Sequence, residues 1–221
     1  DERLFSKIYN RTLIDLLYDD LDFSEFNFLN SEFHKLCNFG YGNFKGRTAR
    51  HCVRVSNFSE KLAIAAKVDD EELKTVVLGG WIHDIGKAYL PEDLFLNNKK
   101  LTEEEYDLIK THSLIGYEIL EGNGFKNFKY PIESVVLQHH MANDETTLSE
   151  RGRNRSYPNR DINSSLLTPS LIVSIADSLE AMYANRAFRQ INTNSLDYMV
   201  GELERNSGTQ FESNLAKLAI E

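Results

Sequence analysis

The sequence predicts an all-α fold, a helical bundle with an N-terminal helical extension. Three observations carry this. Apolar residues recur at intervals of three and four along most of the chain, the period of a helix with one buried face. No stretch sustains the period-two alternation of a half-buried strand, and no hairpin signal appears. Helix-start signals also recur. Asp69 with Glu72, Thr102 with Glu105 and Thr209 with Glu212 fit capping boxes, Thr168–Pro169 fits an N-cap followed by proline, and Gly208 suits a left-handed stop.

The spacing predicts helices over 2–19, 24–37, 47–68, 70–85, 103–110, 112–121, 129–141, 169–189, 195–206 and 209–220. The glycine- and aromatic-rich stretch 36–46 separates the first two from the rest. Residues 1–46 therefore read as a helical extension packed on a domain spanning 47–221. Residues 142–167 break the pattern: they are polar, with arginines at 151, 153, 155 and 160. A loop of that length in a compact domain usually has a function or is mobile.

Composition narrows the class. The chain has 221 residues, 41% hydrophobic and 27% charged, which is ordinary for a globular protein with a real core. A net charge of −9 argues against a general binder of DNA or RNA duplexes, yet leaves room for a small anion in a locally basic cleft. No apolar run approaches the roughly 18–20 residues of a membrane span, and no signal-peptide pattern opens the chain. The expected location is the cytoplasm, with Cys37 and Cys52 reduced and Cys52 a small core residue. A start at Asp1 rather than Met suggests a fragment with a domain upstream.

The histidines carry the functional signal. In 47–68, the stripe Val55, Phe58, Leu62, Ala65 extends back to His51. In 70–85, the stripe through Leu73, Val76 and Trp81 leads to Asp84, with His83 beside it. Tyr106 and Ile109 lead to His112. Ile132 and Val135 lead to His139 and His140. Asp177 lies close to the stripe Leu171, Ile175, Leu179. Five of the six histidines and two aspartates thus lie at or beside inward faces of five helices. His34 fits no such arrangement and reads as a surface or packing residue. Burying an isolated carboxylate costs several kcal/mol, and an unpaired buried imidazole forfeits hydrogen bonds. Any one of these residues alone would read as a hydrogen-bonded core residue; seven together need a common partner, and a metal centre is the economical one.

HDIGK (83–87), HSLIGYEIL (112–120), HH (139–140) and SIADSLEAMYANRAFR (174–189) occur in the order and approximate spacing of the HD-GYP family, a branch of the HD metal-dependent phosphohydrolases. The resemblance covers roughly residues 47–212. It implies an HD-domain helical bundle and a phosphodiesterase acting on a bacterial cyclic dinucleotide, chiefly cyclic di-GMP, cut to linear dinucleotide or GMP by hydroxide shared between two metal ions. It implies that His51, His83, Asp84 and Asp177 hold one divalent ion, and that Asp84 bridges to a second held by His112, His139 and His140. Five imidazoles and two carboxylates suit iron or manganese, with zinc also compatible. Catalysis would rest on Asp84 and Lys87. Lys87, Arg186 and Arg189 would meet phosphate, and Tyr157 could stack on a base. Read by themselves, Lys87 also suits a helix C-cap charge, Arg186 and Arg189 a solvated helix end, and the arginines of 151–160 either a phosphate screen or a solvated loop.

Three positions depart from the family pattern. Met141 stands where a glutamate commonly follows the histidine pair. Ser156-Tyr157-Pro158 replaces Gly-Tyr-Pro. Arg47 occupies the position of a glutamate that some members use for a third metal, so two metals are expected here. Partners expected from the resemblance are the cyclic dinucleotide and an upstream sensory domain or a diguanylate cyclase. A non-hydrolysing receptor for a nucleotide or a partner protein, and a nucleotidase acting on linear nucleotides, are the competing readings.

Overall fold

The computed structural model describes residues 21–40, 45–95, 101–123, 132–140, 168–184 and 195–221. Among them the regular elements are helical: α1 (Phe23–Asn38), α2 (Arg47–Ala66), α3 (Asp70–Ile82), α4 (Glu103–Lys110), α5 (His112–Gly122), α6 (Ile132–Gln138), α7 (Thr168–Tyr183), α8 (Leu196–Asn206) and α9 (Ser213–Ile220), with 3-10 turns at Ile85–Tyr89 and Glu92–Phe95. The predicted helix 2–19 lies outside the described residues, as do 129–131, residue 141 and 185–189 of two others.

The caps explain most boundaries. Asp22 and Glu25 form a reciprocal capping box at the start of α1, and Thr102 and Glu105 form one at α4. Asp69 accepts the Glu72 amide at 2.8 Å. Helix α2 ends on Lys67 in the left-handed region, at φ 57°.

Several boundaries differ from the sequence expectation: the helix expected over 129–141 ends at Gln138, leaving His139 and His140 in a turn, and the one expected over 169–189 ends at Tyr183. The helix expected over 70–85 stops at Ile82. There the Gly80 carbonyl accepts the His83 ring Nδ1 at 2.8 Å, and the backbone tightens into a 3-10 turn closed by the Lys87 amide on Asp84 O at 2.9 Å. The helix expected from Thr209 begins instead at Ser213, capped by Glu212, whose carboxylate accepts the Leu215 amide at 2.8 Å. The amides of Thr209, Gln210 and Phe211 all turn back to the Asn206 carbonyl, and Gly208 sits at φ 78°. Backbone turn bonds therefore win over the predicted cap at Thr209.

Helices α2 and α3 pack against each other and form the middle of the bundle. On one side, Cys52, Val77, Leu78 and Ile82 bury against Leu29, Phe33 and Leu36 of α1 and against Leu120 and Val136. Phe33 and Trp81 stack with ring centroids 4.5 Å apart, which ties α1 to α3. On the other side, Val55, Leu62, Ala63 and Val76 bury against Ile172, Ile175 and Ala176 of α7 and against Leu203, Phe211 and Leu215. Side chains from the first turns of α2, the end of α3, the start of α5, the end of α6 and the body of α7 come together in one place.

One close approach fixes how that meeting is made. A Cβ on Gly86 would lie 1.9 Å from the His112 carbonyl oxygen, and one on Gly116 would lie 2.7 Å from Val136 Cγ1. Glycine at both positions lets the turn carrying Lys87 pass directly over the start of α5.

Candidate metal centre

Each inward side chain reaches the centre for a local reason. His51 comes from the first turns of α2. His83 caps α3, Asp84 opens the following 3-10 turn, and His112 begins α5. His139 and His140 follow the end of α6, and Asp177 lies within α7. His51, His83, Asp84, His112 and His139 are buried, and the side chains of Asp177 and His140 are 15% and 24% exposed.

Three of the imidazoles are oriented by the same device. His83, His112 and His139 each place Nδ1 on the backbone carbonyl three residues earlier: Gly80 at 2.8 Å, Ile109 at 2.7 Å and Val136 at 2.7 Å. A carbonyl only accepts, so each Nδ1 carries the proton. In the neutral form of each ring, Nε2 is then the nitrogen that carries the lone pair.

These lone pairs converge on acceptors. His112 Nε2 lies 3.3 Å from His139 Nε2 and 3.2 Å from Asp84 Oδ1. The other carboxylate oxygen of Asp84, Oδ2, lies 3.5 Å from His83 Nε2 and 3.7 Å from His51 Nε2. Asp84 thus turns one oxygen toward each of two groups. The donor atoms of Asp84, His112, His139 and His140 lie within 4.8 Å of one another, as do those of His51, His83 and Asp177. Among the described residues, His51 Nε2, His83 Nε2 and Asp84 Oδ1 are buried without a hydrogen-bond partner, although His51 Nε2 comes to 3.0 Å from Asp177 Oδ1 without bonding alignment. Buried, orphaned lone pairs pointing at one another are costly unless a cation lies among them. The donor set fits divalent metal.

Electrostatics agree. Burial presses the His139 ring well below the usual histidine range, and the crowding of other imidazoles around it acts in the same direction. Burial likewise lowers His140, helped by His112. It also lowers His112, helped by Lys87. These rings stay neutral, as metal ligands must. Burial works against the charge on Asp84, yet Lys87 and the imidazoles hold its carboxyl well below the usual range. The same balance, dominated on the attractive side by His51, keeps Asp177 ionised. His51 is the exception. Burial opposes its charge, but Asp177, Glu180 and Asp84 raise it to about 9.

Lys87 Nζ reaches Asp84 Oδ2 at 2.5 Å, with 15% of the side chain exposed. His34 and Arg47 are exposed. Arg186, Arg189 and Tyr157 lie outside the described residues, as do Met141, Ser156, Pro158 and the arginines of 151–160. Sequence reasoning missed two neighbours. Cys52, expected in the core, is buried there but also brings its thiol within 4.8 Å of donor atoms of His83 and Asp84. Burial keeps that thiol protonated. Arg54, one turn after His51, binds Glu180, one turn after Asp177, a long-range pair with no signal in the sequence.

A helical bundle whose inward histidines and aspartates could hold metal defines a class, and the family comparison agrees. The HD domain family model matches residues 48–182, and the chain belongs to that family. Its relatives accord with the HD-GYP resemblance. The chain is 27% identical over 167 residues to the cyclic di-GMP phosphodiesterase response regulator RpfG of Xanthomonas campestris, covering 76% of this chain and 41% of that protein. It is 28% identical over 170 residues to a cyclic di-GMP phosphodiesterase of Thermotoga maritima, covering 77% of this chain and 43% of that protein. The chain thus spans about two fifths of the length of these curated relatives. The crystal structure of the HD domain of the L. monocytogenes phosphodiesterase PgpH shares the fold, with a TM-score of 0.60, 22% identity, and coverage of 86% of this chain and 93% of that one. Among the described residues, no helix is long and apolar enough to cross a membrane.

Proposed function

We propose that this chain is the catalytic part of a metal-dependent phosphodiesterase that hydrolyses a cyclic dinucleotide, cyclic di-GMP before others. The observation that carries the reading is the split carboxylate of Asp84, with Oδ2 facing His51 and His83 and Oδ1 facing His112 and His139. In this reading His51, His83, Asp84 and Asp177 hold one ion, and Asp84, His112, His139 and His140 hold a second. Iron or manganese suits such a nitrogen and oxygen set. Two bound divalent ions would supply a nucleophile at neutral pH and neutralise phosphoryl oxygens.

The protein's own residues supply the rest. The imidazoles are held in one tautomer by helix-end carbonyls. Asp84 keeps both groups in register. Lys87, paired with Asp84, would turn its ammonium to an incoming phosphate. Arg186 and Arg189 would grip the phosphates and Tyr157 would stack on a base. Residues 1–46 would be the extension of a 47–221 catalytic domain, and a sensory domain or a diguanylate cyclase in the cytoplasm would be its partner.

A second reading, a receptor that binds the nucleotide or a partner protein without cutting it, is favoured by Met141 and by Ser156-Tyr157-Pro158 in place of the family signature. One experiment separates the two. The protein is purified anaerobically, its metals are counted, and it is incubated with cyclic di-GMP, cyclic GMP-AMP and linear nucleotides. Two ions per chain with turnover of cyclic di-GMP is the expected result. Retained metal with no turnover selects the receptor, and turnover of linear nucleotides alone selects a nucleotidase.

A further inference from the structure

Behind the His51 ring lies a carboxylate that the metal set does not use. Glu180 is 1% exposed. Its Oε2 contacts His51 Nδ1. Its Oε1 accepts Arg54 Nε at 2.6 Å and lies 2.5 Å from a second guanidinium nitrogen, Nη2. Arg54 is 41% exposed along its side chain, so the series from His51 through Glu180 to Arg54 runs from the buried centre to solvent. The other three oriented histidines lean on backbone carbonyls; His51, inside α2 rather than at a helix end, takes a side chain instead.

Resting on the metal-centre reading above, we infer that Glu180 and Arg54 are positioning residues: Glu180 fixes His51 with Nδ1–H toward itself and Nε2 toward the ion shared with His83 and Asp177, and Arg54 holds Glu180 in place. The geometry supports this over a merely structural ion pair. Both oxygens of Glu180 are engaged, one by each partner. The pair also repeats the helix offset of the ligands themselves, with Arg54 three after His51 and Glu180 three after Asp177. Two packed helices therefore present a ligand and its support on matching turns. A carboxylate behind a ligating histidine raises the basicity of the ring and locks its orientation, and its loss typically weakens metal binding about tenfold to a hundredfold.

The test is manganese binding by the whole chain, followed by chelator competition and by the Mn(II) electron paramagnetic resonance signal. Wild type, Glu180→Gln, Arg54→Ala and Arg54→Lys are compared, with metal-free thermal melts beside them. Glu180→Gln is expected to weaken one of two ions about tenfold to a hundredfold and leave the other near wild type. Arg54→Ala is expected to weaken the same ion by less, and Arg54→Lys to recover part of the loss. Two ions bound by Glu180→Gln as tightly as by wild type overturn the relay and leave the metal centre standing. Wild type that binds no manganese overturns both. Should Glu180→Gln not fold, Arg54→Ala decides, and unchanged affinity there overturns the relay.

Discussion

His112 and His139 face each other through their Nε2 atoms at 3.3 Å, while both Nδ1 protons are committed to backbone carbonyls. Two neutral imidazoles cannot share a hydrogen bond in that arrangement, because neither Nε2 has a proton to give. Protonating one ring would relieve the contact, but burial and neighbouring charge drive both rings toward neutrality. A cation among the lone pairs resolves the conflict. This relationship ties the local backbone, which sets the tautomers, to the chemistry proposed for the centre.

Asp84→Ala removes the one side chain that faces both groups. We expect loss of both metals and of phosphodiesterase activity, with far-UV circular dichroism close to wild type. Elemental analysis and a nucleotide assay check this together, and an active, fully metallated variant contradicts the bridging role.

Lys87→Ala should spare the metals and weaken use of substrate, because Lys87 touches Asp84 only from the rim of the site. The measurement is KM and kcat beside metal content. Loss of metal with unchanged KM would argue that Lys87 serves the ligands rather than the phosphate. Arg186→Ala, on the same logic, should raise KM and leave metal content intact.

Gly86→Ala places a methyl group 1.9 Å from the His112 carbonyl oxygen, a backbone atom that cannot swing aside. Overpacking of this kind costs about 1–3 kcal/mol and displaces the start of α5. A lowered melting temperature accompanied by weaker metal binding is expected. A melt and a metal affinity equal to wild type would show that the turn accommodates a side chain.

Metal binding should depend on pH through His51. In the metal-free protein its pKa is raised to about 9, above the unfolded value. Charged His51 therefore stabilises the metal-free fold most fully below the ordinary histidine range, about 6.5, and that contribution is lost as pH rises through about 9. A metal must displace the same proton, so affinity should rise with pH up to about 9 while binding releases protons. Asp84 and Asp177 act in the opposite sense. Their lowered pKa values give stability above the ordinary carboxylate range that disappears as pH falls through their folded values. Calorimetry in buffers of different ionisation enthalpy reads the proton release directly, and metal uptake without proton release near pH 8 would count against this account.

Much of the architecture was legible because the helical period marks inward faces over long segments. The step from Val55 back to His51, and from Ile109 on to His112, needs only the three-and-four spacing. Those same steps bring His51, His83, Asp84, His112, His139, His140 and Asp177 to one place. Tertiary contacts set what the spacing could not reveal. The stop of α3 at Ile82 involves the His83 ring on the Gly80 carbonyl, a side-chain bond with no periodic signature. The late start of α9 follows from the amides gathered on Asn206. The link between Arg54 and Glu180 joins residues 126 apart in the chain, and only the packing of α2 on α7 brings them together.

The most direct measurement is the number of metal ions bound per chain after anaerobic reconstitution with manganese and removal of excess. Convergence of these lone pairs on two cations predicts a value near two. A value near zero, in protein whose helicity is intact, would contradict it.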